Sequence, residues 1–463
     1  MQVTIPSGEE LITVSLPDRT QLVPPGVSLP VPAAPDPAVP VAEALAAPLD
    51  RPPLSALARR GMRVTLAFDD PTVPCYAPLW EVAIPQVLSE LERGGVRRED
   101  VTLLCANAMH RKFTRDELAA LMGDALVAEF GDRLLCHDAE DPENLVYLGQ
   151  TPSGYDVELN RLAVDTDLLV YVNAATTRGF NGGWKSVCVG LSTWRSIRHH
   201  HDPDTMSMSV DRNRMHAMLD EMGALVDSKL GPEHVFKVET ALANPVQVAK
   251  IFAGSVGATR AAVLDLTRQH TVARRDLLPE KVDIVVYGVP AWSPYAAFAR
   301  MNPLLTLVST ALGYLGGMIE ALGKPGCSVI LATPCPNTWD DVHHPSYREV
   351  WERVLGETRD PYQLMARHEA EFASRADYID RYRHGFGFHP LHGLMAAFPL
   401  KRLRHAGRVF VAGDATPETV RHMGFEPVPT VEAAVAAAEA IHGPGASIVL
   451  VQYPAAFNRQ LSG

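Results

Sequence analysis

Short apolar runs separated by segments of helical spacing recur along this 463-residue chain, and that alternation limits its fold more than any other feature. RVTLAF (63–68), VTLLCAN (101–107) and DLLVYVN (167–173) each read as a strand buried on both faces. PLWEVAIPQVLSELERGG (78–95) has apolar residues at helical spacing and a glycine stop, and TRDELAALMG opens on a capping box of Thr114 and Glu117. Strand, helix, strand in this order means a parallel α/β sheet, where ligands collect at the carboxyl ends of the strands. After TRQHTVARRDLLPE the pattern restarts: KVDIVVYG (281–288), CSVILA (327–332) and RVFVAG (408–413) read as strands, VEAAVAAAEAIHG (431–443) as a helix and SIVLVQY (447–453) as a last strand. The fold class expected is α/β, with two α/β domains of mainly parallel sheet, residues 1–275 and 276–463, and an active-site cleft between them. The proline-rich stretch 22–53 reads as an extended arm lying on the body, with room for one helical turn in AEALAAPL.

A formal net charge of -12 argues against nucleic acid or an anionic membrane as partner, since either calls for a basic face. A small or buried ligand fits better. Six cysteines lie scattered with no C-x-x-C pair, the usage of reduced, buried thiols in a cytoplasmic protein. MQVTIPSGEELITVSL has no basic segment followed by an apolar one, so no signal peptide is expected. PLLTLVSTALGYLGGMI (303–319) is uncharged but interrupted by glycines, serine and threonines, and reads as a buried helix rather than a membrane span.

Polar residues stand at informative places. Asp69 and Asp70 follow the first strand, His110 follows the second, and the third leads into GFNGGWKSVCVGLSTWRSIRHHH (179–201). Each alone has a bland reading: a turn or cap for the aspartates, a solvated loop histidine, a plain Gly182-Gly183 turn, a solvated Lys185. Three converging at one sheet edge shift the balance towards a site. Gly179, Lys185 and Ser186 fall where a Walker A loop wants its first glycine, lysine and hydroxyl, but Trp184 replaces the glycine that lets such a loop curl around phosphate.

FDDPTVP (68–74), NAMHRKFTRDEL (107–118), HDAEDPENLVYLGQTPSGYDVELNRLAVDTDLLVYV (137–172) and above all GFNGGWKSVCVGLSTWRSIRHHH resemble the lactate racemase family, and RVFVAGDATPETVRHMGFEPVPTVEAAVAAA resembles that family's closing strand, loop and helix. The resemblance implies the nickel pincer nucleotide (nickel pyridinium-3,5-bisthiocarboxylic acid mononucleotide) as cofactor, made by separate cofactor-synthesis enzymes, and a small hydroxy acid as substrate. It implies covalent attachment at Lys185 and nickel ligation by His201, sixteen residues further on, with Asp70, Thr72, Gly182 and Gly183 around the cofactor. A neutral imidazole suits the in-plane position that a carbon and two sulfurs leave on nickel. On a helix, His199 and His200 would then point elsewhere. The resemblance further implies His110 as the base that takes the substrate hydroxyl proton and Asp70 as the carboxylate that orients it.

The departures fall on the substrate half. The family's D-x-T-R-P reads Asp70-Pro71-Thr72-Val73-Pro74, so a valine replaces the arginine that would hold a carboxylate; the family's second histidine, ten residues before the lysine, is Ala175. In the family's second substrate motif only Arg300, or by another alignment Asn302, is available, and Arg178 offers a replacement charge. With one histidine, the second face of the substrate needs Thr176, Thr177, water or His110 itself. The function expected is a pincer-dependent racemase or epimerase of a 2-hydroxy acid other than lactate. The alternatives are a cofactor-binding homologue without turnover and a nucleotide-binding phosphotransferase using the loop from Gly179 to Ser186.

Overall fold

The computed structural model describes residues 1–23, 31–175, 179–206, 210–275, 280–315 and 319–452. Its strands, in chain order, are β1 (Gln2–Ser7), β2 (Glu10–Ser15), β3 (Gln21–Val23), β4 (Val64–Asp69), β5 (Val101–Ala106), β6 (Leu134–Cys136), β7 (Leu145–Gln150) and β8 (Asp156–Asn160), then β9 (Leu168–Ala175), β10 (Val235–Asn244), β11 (Gln247–Gly254), β12 (Val282–Gly288), β13 (Gly323–Ala332), β14 (Arg408–Ala412), β15 (Glu426–Val428) and β16 (Ile448–Val451). The chain divides into two compact units, one of Val27–Val272 with Tyr382–Phe386, the other of Met1–Gly26, Ala273–Arg381 and Gly387–Gly463.

The first of these is built on a six-stranded sheet ordered β11-β10-β9-β4-β5-β6. Five strands run parallel and β11 folds back antiparallel on β10. From β4 the chain moves outward to β5 and β6, then returns to place β9 on the other side of β4 and moves outward again to β10. The order therefore reverses between β4 and β9, which opens a crevice at the carboxyl ends of these two strands. Both strands are apolar because both faces are covered: β4 is buried throughout, and the helix Trp80–Arg93 lays Trp80, Ala83, Ile84, Val87, Leu88 and Leu91 against the core. Burying side chains such as Leu66, Val87 and Val170 contributes about 1.5–3 kcal/mol each.

The proline-rich stretch departs from expectation. Rather than an extended arm with one turn, it carries a nine-residue helix, Ala38–Ala46, whose Val41, Ala44 and Leu45 are buried in the same core as Val248 and Ile251. Pro37 sits at its start and Pro40 in its first turn, where a missing N–H costs nothing, and the spacing of the three apolar residues makes a stripe.

The second unit holds a parallel sheet ordered β15-β14-β13-β12-β16-β3. The amino-terminal segment, expected to go with the residues up to 275, packs here instead. β3 lies alongside β16, and Val3, Ile5, Val14 and Leu16 from the β1-β2 hairpin join Ile284, Ile330 and Phe410 in one core under the helix Val431–His442. The apolar stretch near residue 310 forms a buried helix of wide, π-type turns, Leu304–Leu315. Among the described residues no helix is long and apolar enough to cross a membrane.

Candidate active site

The crevice between β4 and β9 is floored by the two aspartates that end β4. Asp69 accepts hydrogen bonds from the Tyr171 hydroxyl (3.0 Å) and the Ala174 amide (2.8 Å) of β9, and burial pushes its carboxyl up to about 6. Asp70, also buried, turns the other way: its Oδ1 accepts from the Thr72 hydroxyl (2.6 Å) and amide (3.2 Å), and its Oδ2 lies 2.8 Å from His110 Nδ1. Thr72 Oγ1 is 3.0 Å from the same nitrogen. An ionised carboxylate only accepts, and the Thr72 hydroxyl proton is already donated to Asp70, so both neighbours present lone pairs to Nδ1. The proton of a neutral His110 therefore sits on Nδ1, and proton exchange falls to Nε2.

A tight turn after β5 delivers that histidine. His110 N donates to Asn107 O, Ala108 N to Gly190 O, and Asn107 Nδ2 to the carbonyls of His110 and His137. Ala108 adopts φ 48°, a left-handed conformation that costs an alanine roughly 1–2 kcal/mol. Arg111, fully buried, makes a two-pronged pair with Glu117 at 3.0 and 2.7 Å and lies over Phe113, so it anchors the helix Arg115–Met122 behind the turn. The capping box expected of Thr114 and Glu117 starts that helix.

The loop after β9 rests on charges that the sequence reading did not single out. Lys237 and Glu239, two residues apart on β10, point to the same face as Tyr171 and are fully buried. Lys237 Nζ donates to Ser186 Oγ (2.7 Å) and lies over the Tyr171 ring. Glu239 Oε2 accepts from the Gly183 amide (3.1 Å). Arg260 donates to the carbonyls of Asn181 and Gly179, Asn213 to Gly179 and His216 Nε2 to Phe180. Gly182 and Gly183 have φ 88° and 58°, and a Cβ on Gly182 would overlap Glu239 Oε1. A phosphate in this loop would meet the Glu239 carboxylate at the amide it needs, and Trp184 is buried against Gly223. The Walker A reading has no cradle here.

Lys185 opens the short helix Lys185–Cys188, half-buried, its Nζ 4.6 Å from the Phe180 ring centroid. Burial lowers its amine to about 8, against the opposing pull of Asp69 and Asp70. The lysine thus shares one electrostatic neighbourhood with the carboxylates under His110, and it also acts on His200, whose imidazole burial pushes down to about 3. The three histidines part company after the helix Trp194–Ile197. His199 Nε2 meets Asp156 at 3.0 Å. His200 and His201 are buried with their Nδ1 atoms 2.8 Å apart: they do not lie on the helix on which they would have diverged, but in a tight turn after it, with both amides on Ile197 O, where neighbouring rings meet. His137 uses both ring nitrogens, on Ser192 O and the Asn160 amide, and is structural.

Other residues expected at the site fare differently. Val73 packs half-buried against the core, and Ala175 is the last residue of β9. Thr176, Thr177 and Arg178 lie outside the described residues. Arg300 is exposed in the other unit, where its amide donates to Asp340; Asn302 there is buried and caps the helix that follows through Oδ1.

A family model for the lactate racemase N-terminal domain matches residues 7–215. The chain is 30% identical over 164 residues to the lactate racemase of Thermoanaerobacterium thermosaccharolyticum, and 26% identical over 236 residues to that of Lactiplantibacillus plantarum. These stretches take in 35% and 50% of this chain and span 37% and 53% of the two relatives. The lactate racemase apoprotein structure from T. thermosaccharolyticum superposes with a TM-score of 0.70 at 22% identity, over 97% of this chain and 98% of that one, which is a likeness of fold. Residues 7–215 thus match the lactate racemase N-terminal domain, and the chain as a whole shares the fold of a lactate racemase apoprotein.

Proposed function

We propose that this protein is a nickel pincer nucleotide-dependent racemase or epimerase of a 2-hydroxy acid other than lactate. The observation that carries the reading is that Asp70, which with Thr72 holds His110 at Nδ1, also acts on the amine of the half-buried Lys185. When bound, the cofactor supplies nickel and a carbon that accepts hydride.

The residues fit such a group. Lys185 has no hydrogen-bond partner at Nζ among the described residues, and an amine near 8 is partly neutral at physiological pH, as forming a thioamide requires. Among the described residues, buried polar atoms without hydrogen-bond partners occur on the strands that carry the site and in the turn after the loop: the amide O and N of the Asn173 side chain, Oε1 of Glu239 and Nε2 of His200. Gly182 leaves room for the Glu239 carboxylate and the Gly183 amide donates to it, which keeps the loop low, and His201 would provide the imidazole for nickel. His110 Nε2 takes the hydroxyl proton and returns it, while Asp70 holds the ring and balances the imidazolium. Val73 in place of a cation removes a carboxylate clamp, so Arg178 and Arg300 are the cations we assign to the substrate carboxylate.

Co-production with pincer-synthesis proteins tests the reading. The expected results are a cofactor mass on the Lys185 peptide, bound nickel, and interconversion of at least one 2-hydroxy acid in a chiral assay. Loading without turnover on any hydroxy acid would leave a cofactor-binding homologue, and no adduct on Lys185 would overturn the proposal.

A further inference from the structure

We propose that His200 is a positioning residue that fixes which ring nitrogen His201 presents to the metal. This rests on the reading of His201 as the nickel ligand. Two imidazoles with Nδ1 atoms 2.8 Å apart share one hydrogen bond, so one Nδ1 carries the proton and the other accepts it. If His200 donates, a neutral His201 keeps its proton on Nε2, and that nitrogen cannot bind nickel. If His201 donates, its Nε2 lone pair is exposed to the metal, and His200 carries its own proton on Nε2. Metal-bound histidines regularly donate their second ring N–H, and here the acceptor is a neighbouring histidine.

The surrounding turn holds the pair for this task. Both backbone amides donate to Ile197 O, and the Thr205 hydroxyl donates to the His200 carbonyl at 2.9 Å. The rings meet edge to face, with centroids 4.9 Å apart at 68°. His200 is fully buried and, among the described residues, its Nε2 has no hydrogen-bond partner and its Nδ1 meets His201. His199 takes no part, being engaged with Asp156.

The test compares His200→Leu, His200→Asn and His201→Ala, each loaded with the pincer cofactor, by chelator competition for nickel and by the nickel-dependent absorbance. Asparagine offers an acceptor oxygen close to the position of Nδ1, and leucine fills the space without one. His200→Leu is expected to bind nickel 10–100-fold more weakly, the usual effect of losing a ligand's hydrogen-bond partner, with a changed absorbance, while His200→Asn stays close to the parent in both. Parent-like nickel binding in His200→Leu would overturn the inference. So would equal weakening in the leucine and asparagine variants, which would make His200 a packing residue. Full nickel retention by His201→Ala would instead overturn the reading of His201 as ligand.

Discussion

Replacing Asp70 by asparagine puts the proton logic of the site under direct test. The carboxylate accepts three hydrogen bonds: from Thr72 Oγ1 at 2.6 Å, from Thr72 N at 3.2 Å and from His110 Nδ1 at 2.8 Å. An asparagine has one oxygen, and the two Thr72 donors both claim it at the Oδ1 position. Its NH2 group then faces His110 Nδ1. A donor there favours the tautomer with the proton on Nε2, which cannot accept a proton from substrate. Loss of a positioned general base costs 10²–10⁴ in rate, and the wrong-tautomer substitution in the serine protease triad sits near the upper end, so turnover should fall by ~10²–10⁴, or about 2.7–5.4 kcal/mol of barrier. The assay is a chiral measurement of kcat and kcat/KM on the best hydroxy acid, with cofactor occupancy read by mass. Occupancy should hold and KM should change little. His110→Ala should lose at least ~100-fold. Turnover of Asp70→Asn within tenfold of the parent, at equal occupancy, would refute the tautomer argument.

On the proposed function, which puts Val73 where an arginine would hold the carboxylate, lactate should be interconverted far more slowly than the best acid in a panel; comparable rates on lactate would show that the valine is immaterial. Gly182→Ala forces a Cβ onto Glu239 Oε1 at φ 88°, and should cost roughly 1–3 kcal/mol in chemical denaturation and reduce the adduct on Lys185. An unchanged midpoint and full adduct would mean that the loop simply shifts. Burial holds the amines of Lys185 and Lys237 at about 8 against an ordinary 10.5, so between about pH 8 and 10.5 the unfolded chain binds more protons and stability rises with pH. Urea unfolding at pH 8 and pH 10 should show that rise, and Lys237→Met should reduce it; the same rise in the variant would mean that Lys237 does not titrate in this window.

The legible part of this protein was the part written in strands buried on both faces. β4, β5, β9, β12, β13, β14 and β16 are short runs of Val, Leu and Ile that water would penalise anywhere but inside a parallel sheet, and all seven appear where their composition puts them. The carboxyl ends of β4 and β5 then followed, and with them Asp70 and His110. The proline-rich stretch was misjudged because prolines were weighed and positions were not: at the start of a helix they do no harm, and the spacing of Val41, Ala44 and Leu45 was the stronger signal. The β1-β2 hairpin and β3 escaped because sequence order assigns them to the nearer domain, whereas β3 finds its partner in β16, more than four hundred residues away.

β10 escaped for a chemical reason that bears on the site. VFKVETALAN carries a lysine and a glutamate inside an otherwise apolar strand, and charge in such a run reads as a solvated surface. Here both charges are fully buried, and each is matched to the loop above: the lysine to Ser186, the glutamate to the Gly183 amide. A buried charge is tolerated only where partners are fixed in place, so the cost of burying Lys237 and Glu239 is also a constraint on the backbone from Gly182 to Ser186. Of the two glycines that first looked like a phosphate loop, Gly182 is needed because the Glu239 carboxylate lies where its Cβ would go, and Gly183 because its φ is 58° against the Arg260 stem. Lys185 is then held out from that floor by its own helix, over Phe180 and in the field of Asp69 and Asp70, with its amine kept from full protonation by burial. The signal available in the sequence was the i, i+2 spacing of Lys237 and Glu239 within an apolar run, which places two opposite charges on one face of one strand.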